Sequence, residues 1–216
     1  MTQNEQKLLA LDPNSVDAMA HLASCLVNQR RLLIQVLAPQ VAEEKLALGW
    51  YFIYRRDLAQ AITAFQKGIA LNRNHNPFYN GLAFARVISG EPKKTIGYAE
   101  QALSLDPRGP QIAISMSILG VGHIFLGHAD LAVEWLEKAR AETPKSPIPL
   151  SNLAVAYAKK GDLVKAKATT AELLRIAPNF RLSNDGLYPF PSSPEAYKKL
   201  YAEVYMPAVN KAGLPE

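Results

Sequence analysis

Residues Leu119 to Lys145 read LGVGHIFLGHADLAVEWLEKARAETPK. Apolar residues recur at i, i+3, i+4 and i+7 on both sides of Gly127, and Pro144 closes the run. That is the pattern of two amphipathic helices joined by a tight turn. The same landmarks return in LALGWYFIYRRDLAQAITAFQKGIALNRN from Leu46, LAFARVISGEPKKTIGYAEQALSLDPR from Leu82 and LAVAYAKKGDLVKAKATTAELLRIAPN from Leu153. Leu48, Leu82, Leu119 and Leu153 lie 34, 37 and 34 residues apart. The small residues after them (Gly49, Ala83, Gly120, Ala154), the turn positions (Arg56, Gly90, Gly127, Gly161) and the closing positions (Arg73, Pro107, Pro144, Pro178) keep that spacing. Ala61, Ala132 and Ala166, with Thr95 in the same place, let the two helices of each unit approach closely.

A repeat of this length predicts an all-α stack in which each hairpin buries its apolar face against its neighbours. The units fall at 42–75, 76–109, 110–146 and 147–180, after a partial or degenerate unit over 1–41 and before a loop and capping helix over 181–216. Three extra residues, Pro110 to Ile112, are expected to lengthen one first helix. In the opening unit Leu22 aligns with Leu48, only 26 residues on, so its second helix, around Leu32 to Ala38 and broken by Pro39, is cut short.

The chain from Ala42 to Phe180 resembles the tetratricopeptide repeats. Their Leu-Gly pair falls on Leu48-Gly49 and Leu119-Gly120, their Tyr on Tyr157, and their Ala, Phe and Pro landmarks on Ala61, Phe65, Ala102, Ala139, Pro107, Pro144 and Pro178. The resemblance implies a right-handed superhelix with a concave groove that binds a protein or peptide partner. It also implies which residues face that groove, namely those at positions two, five, nine, twelve and thirteen of each first helix. Here the stripe reads Leu46, Trp50, Ile53, Tyr54; Asn80, Phe84, Val87, Ile88; Ser117, Val121, Ile124, Phe125; and Ser151, Val155, Ala158, Lys159. Members that clamp a peptide carboxylate carry Lys and Asn at the fifth and ninth positions, which this chain lacks. An apolar groove of this kind is either a partner site or core covered by another part of the chain.

A narrower resemblance joins LDPNSVDAMAHLA from Leu11, SLDPRGPQ, AELLRIAPNF and the terminal NKAGLPE to the C-terminal repeat region of proteobacterial class III adenylate cyclases and related multidomain regulators. It implies a scaffolding or regulatory role in bacterial signalling, in the cytoplasm, and supplies no catalytic residue.

Composition bounds the alternatives. At 216 residues and 49% hydrophobic, the chain can bury a sizeable core. The one cysteine, Cys25, excludes an internal disulfide and suits a reducing compartment. No segment has the make-up of an export signal or of a membrane span. The net charge of +5 is spread over scattered pairs such as Arg30-Arg31, Lys93-Lys94 and Lys159-Lys160, not gathered into a phosphate-tracking stripe, so no nucleic-acid partner is expected. Nucleotide-loop, nucleophile-elbow and zincin motifs are missing; SGEPKKT from Ser89 reads as an inter-helix turn. His123 and His128, five apart across Gly127, do not have the i, i+4 spacing of two metal ligands on one helix. Glu134, Glu137 and Glu142 read as a solvated stripe beside Lys138 and Arg140. The expectation is a non-enzyme without metal or cofactor; a sensor for a small apolar ligand and a self-assembling structural module are the alternatives.

Two segments carry further expectations. In SPEAYKKLYAEVYMPAV, Ser193 reads as N-cap, Pro194 as the first helical residue, and Tyr197, Leu200, Tyr201, Val204 and Tyr205 as an apolar stripe that Pro207 kinks or ends. Capping the last unit is its ordinary role, and lying in the groove is the sharper one. At the other end, Leu8, Leu9, Leu11, Leu22 and Leu26 offer an apolar edge with no preceding unit to cover it, which favours a homodimer.

Overall fold

A computed structural model of the chain describes residues 41–184 and 187–215. The expectations for the opening unit up to residue 40, including the Leu8, Leu9, Leu11, Leu22 and Leu26 edge and Cys25, lie outside the described residues.

Helices alternate along the chain: α1 (41–54), α2 (Leu58–Leu71), α3 (Asn76–Ile88), α4 (Pro92–Leu105), α5 (Ile112–Leu126), α6 (Ala129–Glu142), α7 (Pro147–Lys160) and α8 (Leu163–Ile176). Among the described residues there is no strand. Consecutive helices pack as antiparallel pairs, and each pair packs on the next. The fold is a superhelical stack of the tetratricopeptide type.

The turn inside each hairpin has one conformation with two chemistries. Gly90, Gly127 and Gly161 have φ of 79°, 78° and 90°, and Arg56, at the same repeat position, has φ 62°. A left-handed residue ends the first helix, and a Cβ is penalised there. Asp57 and Asp162 then start the second helix by accepting from the backbone N–H of Gln60 and Lys165 at 3.1 and 3.0 Å.

The helix-to-helix contact is set by complementary sizes. A Cβ on Gly49 would lie 2.2 Å from Phe65 Cε1, and one on Gly120 would lie 2.4 Å from Leu136 Cγ. In the other two units the residue after the landmark leucine is Ala83 or Ala154, and the facing position holds the smaller Ala99 or Thr170. Glycine therefore stands opposite a large residue and alanine opposite a small one, so each hairpin fills the same gap by a different division of volume. Ala61, Thr95, Ala132 and Ala166 are fully buried at the close approach.

Three expectations are corrected. The inserted residues mostly lengthen the connection, since α5 begins only at Ile112 and Pro110 and Gln111 lie in turns. The Ile112 N–H bonds to the Gly109 carbonyl at 3.1 Å, so these residues form a turn leading into the helix. Of the kink or end expected at Pro207, the end does not occur: the C-terminal helix runs through α9 (Glu195–Leu200), a π turn (Tyr201–Tyr205) and α10 (Met206–Ala212). In the π turn the Met206 N–H bonds to the Tyr201 carbonyl, five residues back, a register that accommodates the proline just beyond. Its N-cap is Pro194 rather than Ser193, whose hydroxyl instead accepts from Phe190 N–H at 2.9 Å.

Candidate functional site: a half-filled groove

The first helices α1, α3, α5 and α7 line the concave side, and the C-terminal segment lies along it. The Arg56 guanidinium sits 3.7 Å over the Phe190 ring. Gly90 passes so close that a Cβ would lie 3.1 Å from the Tyr197 backbone nitrogen. Phe125 stacks on Tyr205 at 5.5 Å and meets Tyr197 at 5.9 Å. Further along, Tyr205 donates to Asn152 Oδ1 at 2.8 Å, and Thr170 donates to the Ala212 carbonyl at 2.9 Å. Finally Leu182 N–H bonds to the Pro215 carbonyl at 2.9 Å. The segment therefore crosses from the turn of the first described hairpin to the last helix of the stack. Tyr197, Tyr201 and Tyr205, spaced i, i+4, i+8, are its fully buried face.

This splits the predicted stripe in two. Ile53, Ile88, Ile124 and Val155 are buried in the core that also takes up the three tyrosines, and Phe125 is covered by them. Asn80 is buried too, accepting from the Ser115 hydroxyl at 2.9 Å. Leu46 and Lys159 are half-buried, Ala158 is buried, and Tyr54 stands 83% exposed. Trp50, Phe84, Val87, Ser117, Val121 and Ser151 line a pocket of about 550 Å³, with Val87 and Val121 still part of the same buried core.

The pocket lies toward the starts of α5 and α7. Trp50 contacts Phe65 edge-on at 5.7 Å and Phe84 at 5.9 Å, which fixes one end. Ile114 and Ile148 stand at its rim, 43% and 61% exposed, with Trp50 at 38%. Phe180, at the end of the last unit, and Arg181 and Leu187 beyond it also line the pocket. Among the lining residues Arg181 is the single charged one. Ile114 and Ile148 hold the second position of the groove stripe, so the repeat register itself carries the signal that places them there. The lining residues Arg181 and Leu187 lie after the last repeat, so periodicity could not reveal them.

Elsewhere, polar groups join the units. Arg140 pairs with Glu172 of the next hairpin at 2.7 Å. Glu137, expected to be solvated, accepts the Tyr157 hydroxyl, and burial followed by that carboxylate pushes the Tyr157 pKa up to about 12. His123 and His128 are brought together at 3.3 Å between Nδ1 atoms. Burial first, then the neighbouring His128, holds the His123 pKa below its ordinary value, while Glu100 and Glu134 act the other way. Among the described residues no group of three or more His, Cys, Asp or Glu could hold a metal ion, and no helix is long and apolar enough to cross a membrane.

No family model matches the chain. The chain is 27% identical over 168 residues to the anaphase-promoting complex subunit cut9 of Schizosaccharomyces pombe, a match covering 74% of this chain and 25% of that protein. The chain thus spans about a quarter of that relative's length. In the crystal structure of the Cut9–Hcn1 hetero-tetramer the likeness has a TM-score of 0.60 at 21% identity, over 96% of this chain and 41% of that one. PilW, a type IV pilus biogenesis factor, is similar with a TM-score of 0.61 at 18% identity, over 99% and 90% of the two chains. A TPR protein of Thermus thermophilus gives 0.59 at 17%, over 79% and 86%. These likenesses show the fold. None of these three proteins is an adenylate cyclase, and the narrower resemblance gains no support from them.

Proposed function

We propose that this chain is a non-catalytic protein-interaction module that takes the apolar face of a partner's helix in the open half of its groove. The observation that carries this reading is the pocket of about 550 Å³ with Trp50, Ile114 and Ile148 exposed along its rim. A partner helix would fill the pocket and cover the rim together, and buried aromatic anchors of this kind dominate protein interfaces. The lone charge at Arg181 favours a partner that is acidic at that end. The fold it shares with Cut9, seen in complex with Hcn1, is in keeping with a protein partner. A scaffolding role in bacterial cytoplasmic signalling rests on the sequence resemblance alone.

A photo-crosslinking residue at Ile148, introduced in the host cell, should trap a discrete protein adduct. Trp50→Ala should abolish that adduct, since an interface hot spot is worth roughly 2 kcal/mol or more. An adduct that survives Trp50→Ala, with a lowered melting temperature, would make Trp50 a core residue and end the reading.

A second reading is favoured by the pocket's size, which falls in the range of roughly 300–1,000 Å³ usual for small-molecule sites. An apolar compound copurifying in native mass spectrometry would replace the partner helix with a small ligand.

A further inference from the structure

Two of the three buried tyrosines of the C-terminal helix reach residues that line the pocket. The Tyr205 hydroxyl donates to Asn152 Oδ1 at 2.8 Å, and Asn152 Nδ2 donates in turn to the carbonyl of the rim residue Ile148 at 2.9 Å. The Tyr197 hydroxyl donates to the carbonyl of Leu187, which also lines the pocket. Both tyrosines are at most 1% exposed, and neither lines the pocket itself. Each hydroxyl is thus spent inside the protein on fixing a wall.

We propose that the C-terminal helix is a working part of the binding site, with Tyr205 and Tyr197 as positioning residues that hold Asn152 and Leu187 in place behind the pocket. This rests on the pocket being the binding site. The helix does not compete for the groove. It occupies one half permanently and shapes the other, because a buried aromatic stack against Phe125 locks the helix and the two hydroxyls transmit its position to the walls. The occupant that fits is the apolar face of a partner's helix, which would fill the pocket beside Asn152 and Leu187 and cover the exposed Trp50, Ile114 and Ile148, not an extended peptide running the whole length of the groove.

The test uses the full chain and the fluorescent apolar probe N-phenyl-1-naphthylamine. Wild type should bind it saturably, and Ile148→Asp, at the exposed rim, should remove that binding. Tyr205→Phe and Tyr197→Phe keep the rings and lose only the hydroxyls; each should weaken probe binding at least five-fold at a temperature where circular dichroism shows the chain folded. Tyr79→Phe is the control, because its hydroxyl is likewise spent inside the protein, donating to the Arg73 carbonyl at 2.9 Å, and it lines no part of the pocket. It should lower stability comparably and leave probe affinity within two-fold. If the groove tyrosine variants bind as Tyr79→Phe does, the positioning role is overturned. If wild type binds no probe, or Ile148→Asp binds as well as wild type, the pocket reading itself fails and this inference falls with it, a result visible before any tyrosine variant is made.

Discussion

Arg56 shows how much a single residue of this fold can carry. Its backbone takes the left-handed turn conformation that three glycines take elsewhere, at a cost of about 1–2 kcal/mol for a residue with a Cβ. Its side chain recovers part of that by lying over Phe190, a contact worth roughly 0.5–1 kcal/mol. Burial also lowers the Arg56 pKa, although an arginine stays charged in any case. Two substitutions separate the terms. Arg56→Ala keeps the strain and loses the ring contact, whereas Arg56→Gly loses both. Arg56→Gly should therefore be the more stable of the two by about 1 kcal/mol in urea denaturation, and equal midpoints would show that the turn is unstrained. The spacing of the sequence aligned Arg56 with the three glycines and so located this turn. What it could not show was the Phe190 contact, since a residue some 130 positions away shares no period with it.

At the level of the element, the hairpins were legible and their partners were not. Apolar periodicity states which face of a helix is buried and says nothing of what buries it. Tyr197, Tyr201 and Tyr205 were therefore readable as an inward face, while the choice between the end of the stack and its groove waited on three dimensions. The π turn before Pro207 was hidden for a related reason: a proline rule written for an α-helix takes no account of a register change that removes the conflict.

The junction of α5 and α6 makes a testable element of its own. His123 lies in the last turn of α5, His128 holds the N-cap position of α6, and Glu100 and Glu134 are the carboxylates acting on His123. An unfolded histidine titrates near about 6.5, and His123 in the folded state titrates lower. Between those two values the unfolded chain binds more protons, so stability is full above about pH 6.5 and falls as pH drops below it. The melting temperature should be lower at pH 5.5 than at pH 7.5, and His123→Gln should shrink the difference. A wild-type melting temperature flat over that interval would contradict the assignment.

For the molecule as a whole, the C-terminal segment decides whether the stack is an open groove or a closed body. Three tyrosines, Val209 and Ala212 are all at most 2% exposed. At roughly 1.5–3 kcal/mol for each large side chain, their burial is comparable to the roughly 5–15 kcal/mol by which a whole domain is stable. Truncation before residue 187 should therefore abolish the cooperative thermal transition seen by near-ultraviolet circular dichroism. A truncated chain that melts within a few degrees of the full one would make the segment a removable tail.

The division of volume between Gly49 and Phe65, and between Gly120 and Leu136, bears on how such a chain can be rebuilt by recombination. Phe65 and Leu136 meet Gly49 and Gly120 within one hairpin, but Phe65 also leaves no room for a Cβ on Gly81 of the next unit, and Phe78 leaves none on Gly68 of the unit before, so part of the fit spans the boundary. A crossover at Arg73 divides Gly68 from Phe78 and Phe65 from Gly81, and one at Pro107 divides Ile96 from Gly122. A crossover at the turn divides the two helices of a hairpin as well. Joining α7 to α6, for example, would set the methyl group of Ala154 against the side chain of Leu136, where only a hydrogen atom has room. The heritable module of this protein is therefore longer than one hairpin, because neighbouring units share these fits across Arg73 and Pro107.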